Sequence, residues 1–442
     1  MFKLWKRNKD KGGVKTKKSR KIALCACAAA LLASVTGASL MLGLNSRSGN
    51  NLSGDSFINT GINGNTASAA AAPSSGLNTN YAKEFRLTGT NEQMAATWNA
   101  AVAETGEVLV VLDNEDGWEG VTGSTGFGSG DGFDGGSLLV PSGKKITLDL
   151  NGKTINRKAN ADATTNYANV INCKGTLTLL DGVGTGKITG GHVVGQGGGI
   201  KVTGTLKMYG GDITGNAAGY TGKEGADGTG GGVYVASGAT FEMYGGSITD
   251  NNGDPSEKDL GGGGVFVYDG TFTMNGGVIS GNYAGWGGGV EVYQNALFTM
   301  NGGTITDNTG FHDLGGGIYF WKAQQDNKMN GGSISGNHGE NVQTNSGGGG
   351  GIAIDQSNFT MTGGTISGND CTLRGGGLWV GGTNGKKSYF TMTGGTISGN
   401  TAGTDGGGIS VTTYAELNVT GGTISGNTAG SGGGGVNVGG GA

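Results

Sequence analysis

Gly276-Gly277-Val278-Ile279-Ser280-Gly281-Asn282, followed after four residues by Gly287-Gly288-Gly289-Val290-Glu291-Val292, is the stretch whose reading decides the fold. Its first half occurs eight times, with the isoleucine at Ile213, Ile248, Ile279, Ile305, Ile334, Ile366, Ile397 and Ile424, and Ile188 marks a worn ninth copy. Successive isoleucines are 35, 31, 26, 29, 32, 31 and 27 residues apart. A period that elastic means fixed strands joined by loops of free length.

Within the copy from Thr271 to Val292, Phe272, Met274, Ile279, Val290 and Val292 are apolar, and Thr273, Asn275, Ser280 and Glu291 lie between or beside them. This alternation has period two, so the apolar set shares one face of short strands. Gly-Gly or Gly-Gly-Gly separates each strand from the next, where glycine lets the chain bend through positive φ. One turn cannot bury its own apolar face, so turns must stack in parallel about 4.8 Å apart. The asparagines Asn216, Asn251, Asn282, Asn308, Asn337, Asn369, Asn400 and Asn427 then fall at one corner, where stacked amides bond to each other and to the bend. A disordered glycine-rich linker has no need of phased isoleucine, valine and phenylalanine. The expected fold is all-β: a right-handed parallel β-helix (solenoid) with three short strands per turn, about ten or eleven turns, and an N-terminal capping helix.

The Gly-Gly-Thr-Ile-Ser-Gly-Asn and Gly-Gly-Gly-Val-x-Val units, over about Ser137 to Gly441, resemble the pectate-lyase-like β-helices of adhesin-type bacterial cell-surface proteins and, distantly, chlamydial polymorphic outer-membrane proteins. The phenylalanine-x-x-asparagine motif of the chlamydial proteins and a β-barrel translocator do not occur here. The resemblance implies a surface-exposed, adhesin-like protein that displays a repetitive β-helix to bind a polysaccharide or a host or matrix surface protein. Enzymes of this fold imply the alternative of a polysaccharide lyase or glycoside hydrolase acting on pectin-like polymers. Threonine files at Thr304, Thr365, Thr396 and Thr423 resemble those of ice-binding solenoids, a further alternative.

Residues 1–44 read as a signal peptide or signal anchor: ten basic residues and one acid precede the uncharged stretch Ile22 to Leu44, long enough to span a bilayer if uncleaved. The expected location is therefore secreted or cell surface, with membrane contact only through this segment. Residues 45–80, rich in Asn, Ser, Gly, Thr and Ala, read as a flexible linker. Residues 81–136 form an N-terminal cap, in which Thr90-Asn91-Glu92-Gln93 is a capping box and Met94, Trp98, Ala101 and Val102 share one helical face. Residues 137–442 carry the repeats, expected to be truncated at the C-terminus because Val436-Asn437-Val438 ends the chain on an unpaired strand.

With 101 glycines and three prolines, the length fits one repeat domain and a tail. The formal charge is −4, and residues 1–44 hold a surplus of +9, so the remainder carries −13, which argues against nucleic acid. Cys173 and Cys371 lie roughly 30 Å apart at the stacking distance, out of disulfide reach. Cys173 is expected in the core and Cys371 in a loop.

Two surfaces are candidate ligand sites. The variable loops after the corner asparagine supply Glu224, Asp227, Asp254, Glu257, Asp259, Trp286, His312, Asp313, His338 and Glu340, and such loops are where solenoids place recognition. The middle residue of the Val-x-Val strand points outward, so Tyr234, Phe266, Tyr319 and Trp379 should form an exposed aromatic stripe suited to sugar rings or a protein. A catalytic pair could only be Asp250 and Asp307, two turns or about 10 Å apart, near the limit for an inverting pair. Polysaccharide-cleaving enzymes of this fold add a nearby basic residue, and Arg374 is the one arginine after Arg157. No cofactor or metal is expected: Asp131 and Asp134 lack a calcium-loop pattern, and His312, Asp313 and His338 make a thin ligand set.

Overall fold

The computed structural model describes residues 80–121, 126–159, 168–219, 230–253, 261–312, 314–340 and 347–439. The segment expected to be a signal peptide or anchor, 1–44, all but residue 80 of the expected linker 45–80, and Glu224, Asp227, Asp254, Glu257, Asp259 and Asp313 lie outside the described residues. Among the described residues no helix is long and apolar enough to cross a membrane.

The repeat winds into a right-handed parallel β-helix. Sheet A stacks twelve strands of the Thr271–Met274 kind, sheet B eleven of the Val278–Ser280 kind and sheet C twelve of the Val290–Tyr293 kind. Those are the three strands expected per turn. A fourth sheet, D, adds short strands such as Tyr283–Ala284 directly after the corner asparagine, nine in all. The expected ten or eleven turns thus correspond to nine regular coils plus irregular lead-in coils. Among the described residues all strand-to-strand pairings are parallel except Phe133–Asp134 with Ser137–Val140; the one isolated antiparallel bridge joins Thr383 and Lys386.

Identical residues stack on identical residues because the repeat repeats. Ile248, Ile279, Ile305 and Ile334 lie in one buried file, and Met243, Met274, Met300 and Met329 in another. The coil from Ile318 breaks the rule and compensates. Asn327 takes the sheet A position held by Phe298 below and Phe359 above, and Phe320 on sheet C brings in the missing ring, with centroids 6.0 Å from Phe298 and 5.0 Å from Phe359. A well-packed interior tolerates such a swap when total volume is kept.

The second glycine of each Gly-Gly is required on two counts. Gly277 has φ +86° and Gly303 φ +86°, and a Cβ there would come within 2.5 Å and 2.7 Å of the Cε of Met243 and Met274 in the preceding coil. The residue before each corner asparagine is also left-handed, which explains its restriction to Gly or Asp.

The helix Asn91–Ala103 begins at a complete Thr90–Gln93 capping box. It buries Met94, Ala95, Trp98, Ala101 and Val102, and Trp98 Nε1 donates to the Gly132 carbonyl at 2.9 Å while its ring meets Trp118 edge-on.

Cys173 is in the core, where burial pushes its thiol up to about 12. Cys371 is a correction. It is buried in the sheet D strand Asp370–Cys371 rather than in a loop, because it continues an inward file of small residues, Gly253, Ala284, Gly310, Gly339, Cys371, Ala402 and Ala429.

Candidate functional site

Corner chemistry organises everything outside the core. Asn216 Oδ1 accepts from the Gly191 N–H; from Asn251 on, the Oδ1 of each asparagine accepts from both the backbone N–H and the Nδ2 of the asparagine one coil earlier, as Asn282 does from Asn251 at 3.0 Å and 3.0 Å. Its own Nδ2 donates onward to Asn308 and back to the Ile248 carbonyl. The result is a buried amide ladder from Asn216 to Asn427. Asp250 and Asp307 stand in this corner with φ +53° and +55°, the place that Gly281 and Gly336 fill at +65° and +63°. The left-handed backbone accounts for an aspartate there, and the coil between them puts glycine at the same point.

The expected exposed aromatic stripe is overturned. Tyr234, Phe266, Tyr319 and Trp379 are only 4, 3, 2 and 7% exposed. Tyr234 stacks on Phe266 with centroids 5.8 Å apart and planes 8° from parallel, while Glu291 separates these two rings from Tyr319, and Ala353 separates Tyr319 from Trp379. The positive-φ glycine before each strand turns the chain back over the file, so that a Cβ on Gly262 would be 2.8 Å from the Phe266 Cβ. Trp286 and Leu314 cover Tyr319, Ala353 and Trp379. Glu291 belongs to this file, between Phe266 and Tyr319. It is buried, its Oε2 has no hydrogen-bond partner, and burial holds its carboxyl well above the usual range.

The remaining loop candidates scatter. Trp286 packs edge-on against Tyr319 and Trp321, His312 against Phe311, and His338 Nδ1 pairs with Asp370 at 2.6 Å. Arg374 pairs with Asp405 at 3.5 Å, and Asp134 is taken by Lys174 at 2.8 Å and Asn172 at 2.9 Å. Among the described residues no three His, Cys, Asp or Glu side chains are grouped to hold a metal.

Sequence reading missed a trough on the outer face of sheet A. Two adjoining cavities of about 430 and 440 Å³ share Tyr81, Glu107 and Lys145. The outward positions of successive strands line the first: Thr147, Thr176, Thr178, Thr205, Lys207, Thr240 and Glu242. Thr147 Oγ1 donates to Glu107 at 3.1 Å, and Lys207 lies 3.3 Å from Glu242. Tyr209, which lines the trough, and Tyr244 stack with centroids 4.6 Å apart and planes 7° apart. Burial raises both phenols, so they remain protonated hydroxyls at neutral pH. The signal was present at Thr205-Leu206-Lys207-Met208-Tyr209 and Thr240-Phe241-Glu242-Met243-Tyr244. There, charged and aromatic residues take outward positions that later coils, apart from Lys328, fill with threonine and asparagine.

Sheet B offers a different surface. From Ser247–Thr249 to Thr423–Ser425, seven consecutive strands carry serine or threonine at every outward position except Val278, so the face is a flat hydroxyl lattice flanked largely by glycine.

No family model, curated protein or solved structure matches this chain.

Proposed function

We propose that the chain is an exported, adhesin-like surface protein of the pectate-lyase-like β-helix type, whose solenoid holds a ligand without turning it over. Its ligand class is a polysaccharide, with a host or matrix surface protein as the other candidate. The supporting observation is the sheet A trough. The half-buried hydroxyls of Thr176, Thr205 and Thr240 in consecutive register, two lysine and glutamate neighbours and the Tyr209–Tyr244 pair together combine hydrogen-bonding edges with flat apolar faces, the pairing that a sugar ring demands. A rigid ladder of parallel strands presents these groups with little entropy left to lose.

Hydrolysis by a carboxylate pair fits this trough poorly. Glu107 and Glu242 are four ladder steps apart, about 19 Å at the strand spacing, far beyond the reach of a carboxylate pair. Glycan and matrix-protein arrays probed with the full-length chain test the reading: binding lost in Tyr209→Ala and kept in Tyr389→Ala supports it. Release of reducing or unsaturated sugar by the wild-type chain would replace it with the enzyme reading. The hydroxyl lattice of sheet B favours the ice-binding alternative, which thermal hysteresis measurement on wild type and Thr396→Tyr decides.

A further inference from the structure

One residue pair beyond the buried stripe, the outer face of sheet C carries a second file of rings that remains half-exposed. Tyr268, Tyr293 and Trp321 end the strands Val265–Tyr268, Val290–Tyr293 and Ile318–Trp321 and are paired in register. Tyr293 and Trp321 stack at 4.7 Å with planes 23° apart, and Tyr268 lies 5.7 Å from Tyr293. Beside them on the same face are the buried Phe266, Glu291 and Tyr319, with Phe266 6.1 Å from Tyr293 and Tyr319 6.4 Å from Trp321, so the rings are braced along one edge.

This shelf already holds a cation. Lys322 Nζ stands 4.2 Å from the Trp321 centroid and 5.9 Å from that of Tyr293. Among the described residues no carboxylate lies within ion-pair distance of that ammonium, so the ring faces are what it rests on. The next residue of the same file is Asp355, register partner of Trp321, so a carboxyl stands at the end of the shelf. A primary ammonium is a poor occupant, because it is compact and strongly hydrated. A methylated ammonium is larger and more weakly hydrated and gains more from an aromatic face.

We propose that the Tyr268–Tyr293–Trp321 shelf is a binding site for a quaternary ammonium group, such as the trimethylammonium of a choline ester, and that Lys322 is a displaceable internal occupant. The lysine stem is flexible, so Lys322 swings into water and leaves open the outer face of Trp321, on the Asp355 side of the stack. The site is on a different sheet from the polysaccharide trough and stands independently of it.

The test is titration of the full-length chain with choline chloride against sodium chloride of equal ionic strength, followed by tryptophan fluorescence and calorimetry. Saturable binding is expected, tightened about two- to five-fold in Lys322→Ala, the range that removing one competing exposed cation–π contact corresponds to. Binding should vanish in Trp321→Ala and survive in Trp321→Phe and in Tyr209→Ala. Mere loss of structure cannot tighten binding, so the Lys322 variant separates the site from a folding defect. Phosphocholine in solution and phosphatidylcholine vesicles are run in parallel to distinguish a free or polymer-borne group from a lipid headgroup, and competition of either by choline supports the proposal. An unsaturable response, equal or weaker binding by Lys322→Ala, or vesicle binding that choline does not compete would overturn it.

Discussion

Asn282→Ala removes one rung from the middle of the amide ladder, and the structure says what that rung does. Four hydrogen bonds vanish: two accepted by Oδ1 from the Asn251 backbone N–H and Nδ2, and two donated by Nδ2 to the Ile248 carbonyl and Asn308 Oδ1. Each is worth about 1 kcal/mol net in a protein, and a buried group left unpaired costs about 1–3 kcal/mol. The site is dry, with Asn251, Asn282 and Asn308 all at most 1% exposed, so water does not replace the lost partners. The expected loss is therefore about 4 kcal/mol. Asn427→Ala is the internal control. It removes three bonds at a half-buried position in the final coil, where water can step in, and should cost about 1–2 kcal/mol. Guanidinium unfolding gives the overall cost. Because repeat arrays open locally, hydrogen exchange at the Asn251 amide, whose acceptor disappears, gives the local one. A cost below about 1 kcal/mol at Asn282, or equal costs at the two sites, would refute the reasoning that buried amide pairing holds the corners.

Three further outcomes follow from particular contacts. Gly277→Ala places a Cβ at φ +86° and 2.5 Å from Met243 Cε. It should cost about 1–2 kcal/mol for the backbone alone, and adding Met243→Ala should not recover that part in thermal melts. Glu291→Gln should raise stability at neutral pH: burial lifts the folded-state pKa above the unfolded value of about 4.3, so the folded chain binds the extra proton and wild-type stability falls as pH climbs from about 4 upward. Denaturation midpoints between pH 4 and pH 8 should be flatter in the variant, and parallel curves would contradict the assignment. Phe320→Ala should cost about 3–5 kcal/mol, as much as loss of a sheet A phenylalanine, because its ring fills the space left by Asn327.

Period, strand phase and corner composition are local properties, and the residues alone carried them. Phased Ile279 and Ile305, the Gly-Gly before them and the asparagine after them dictate a coil that closes only by stacking, and the capping box at Thr90 announced the helix. Outward alternation was equally legible, but exposure was not. Whether Phe266 or Tyr319 meets solvent depends on what folds back over the strand: the turn at Gly262, with its positive φ, for Phe266, and Trp286 and Leu314 for Tyr319. The trough arose the same way. Lys207 and Glu242 are far apart in the chain, and only the parallel register sets them side by side, with Lys145 two strands away from Lys207 on the same face. Sequence determined which side of each strand a residue occupies, because a period of two needs no partner. Tertiary structure decided which outward residues are covered and which meet one another, because coverage and adjacency are properties of neighbouring coils rather than of any one of them.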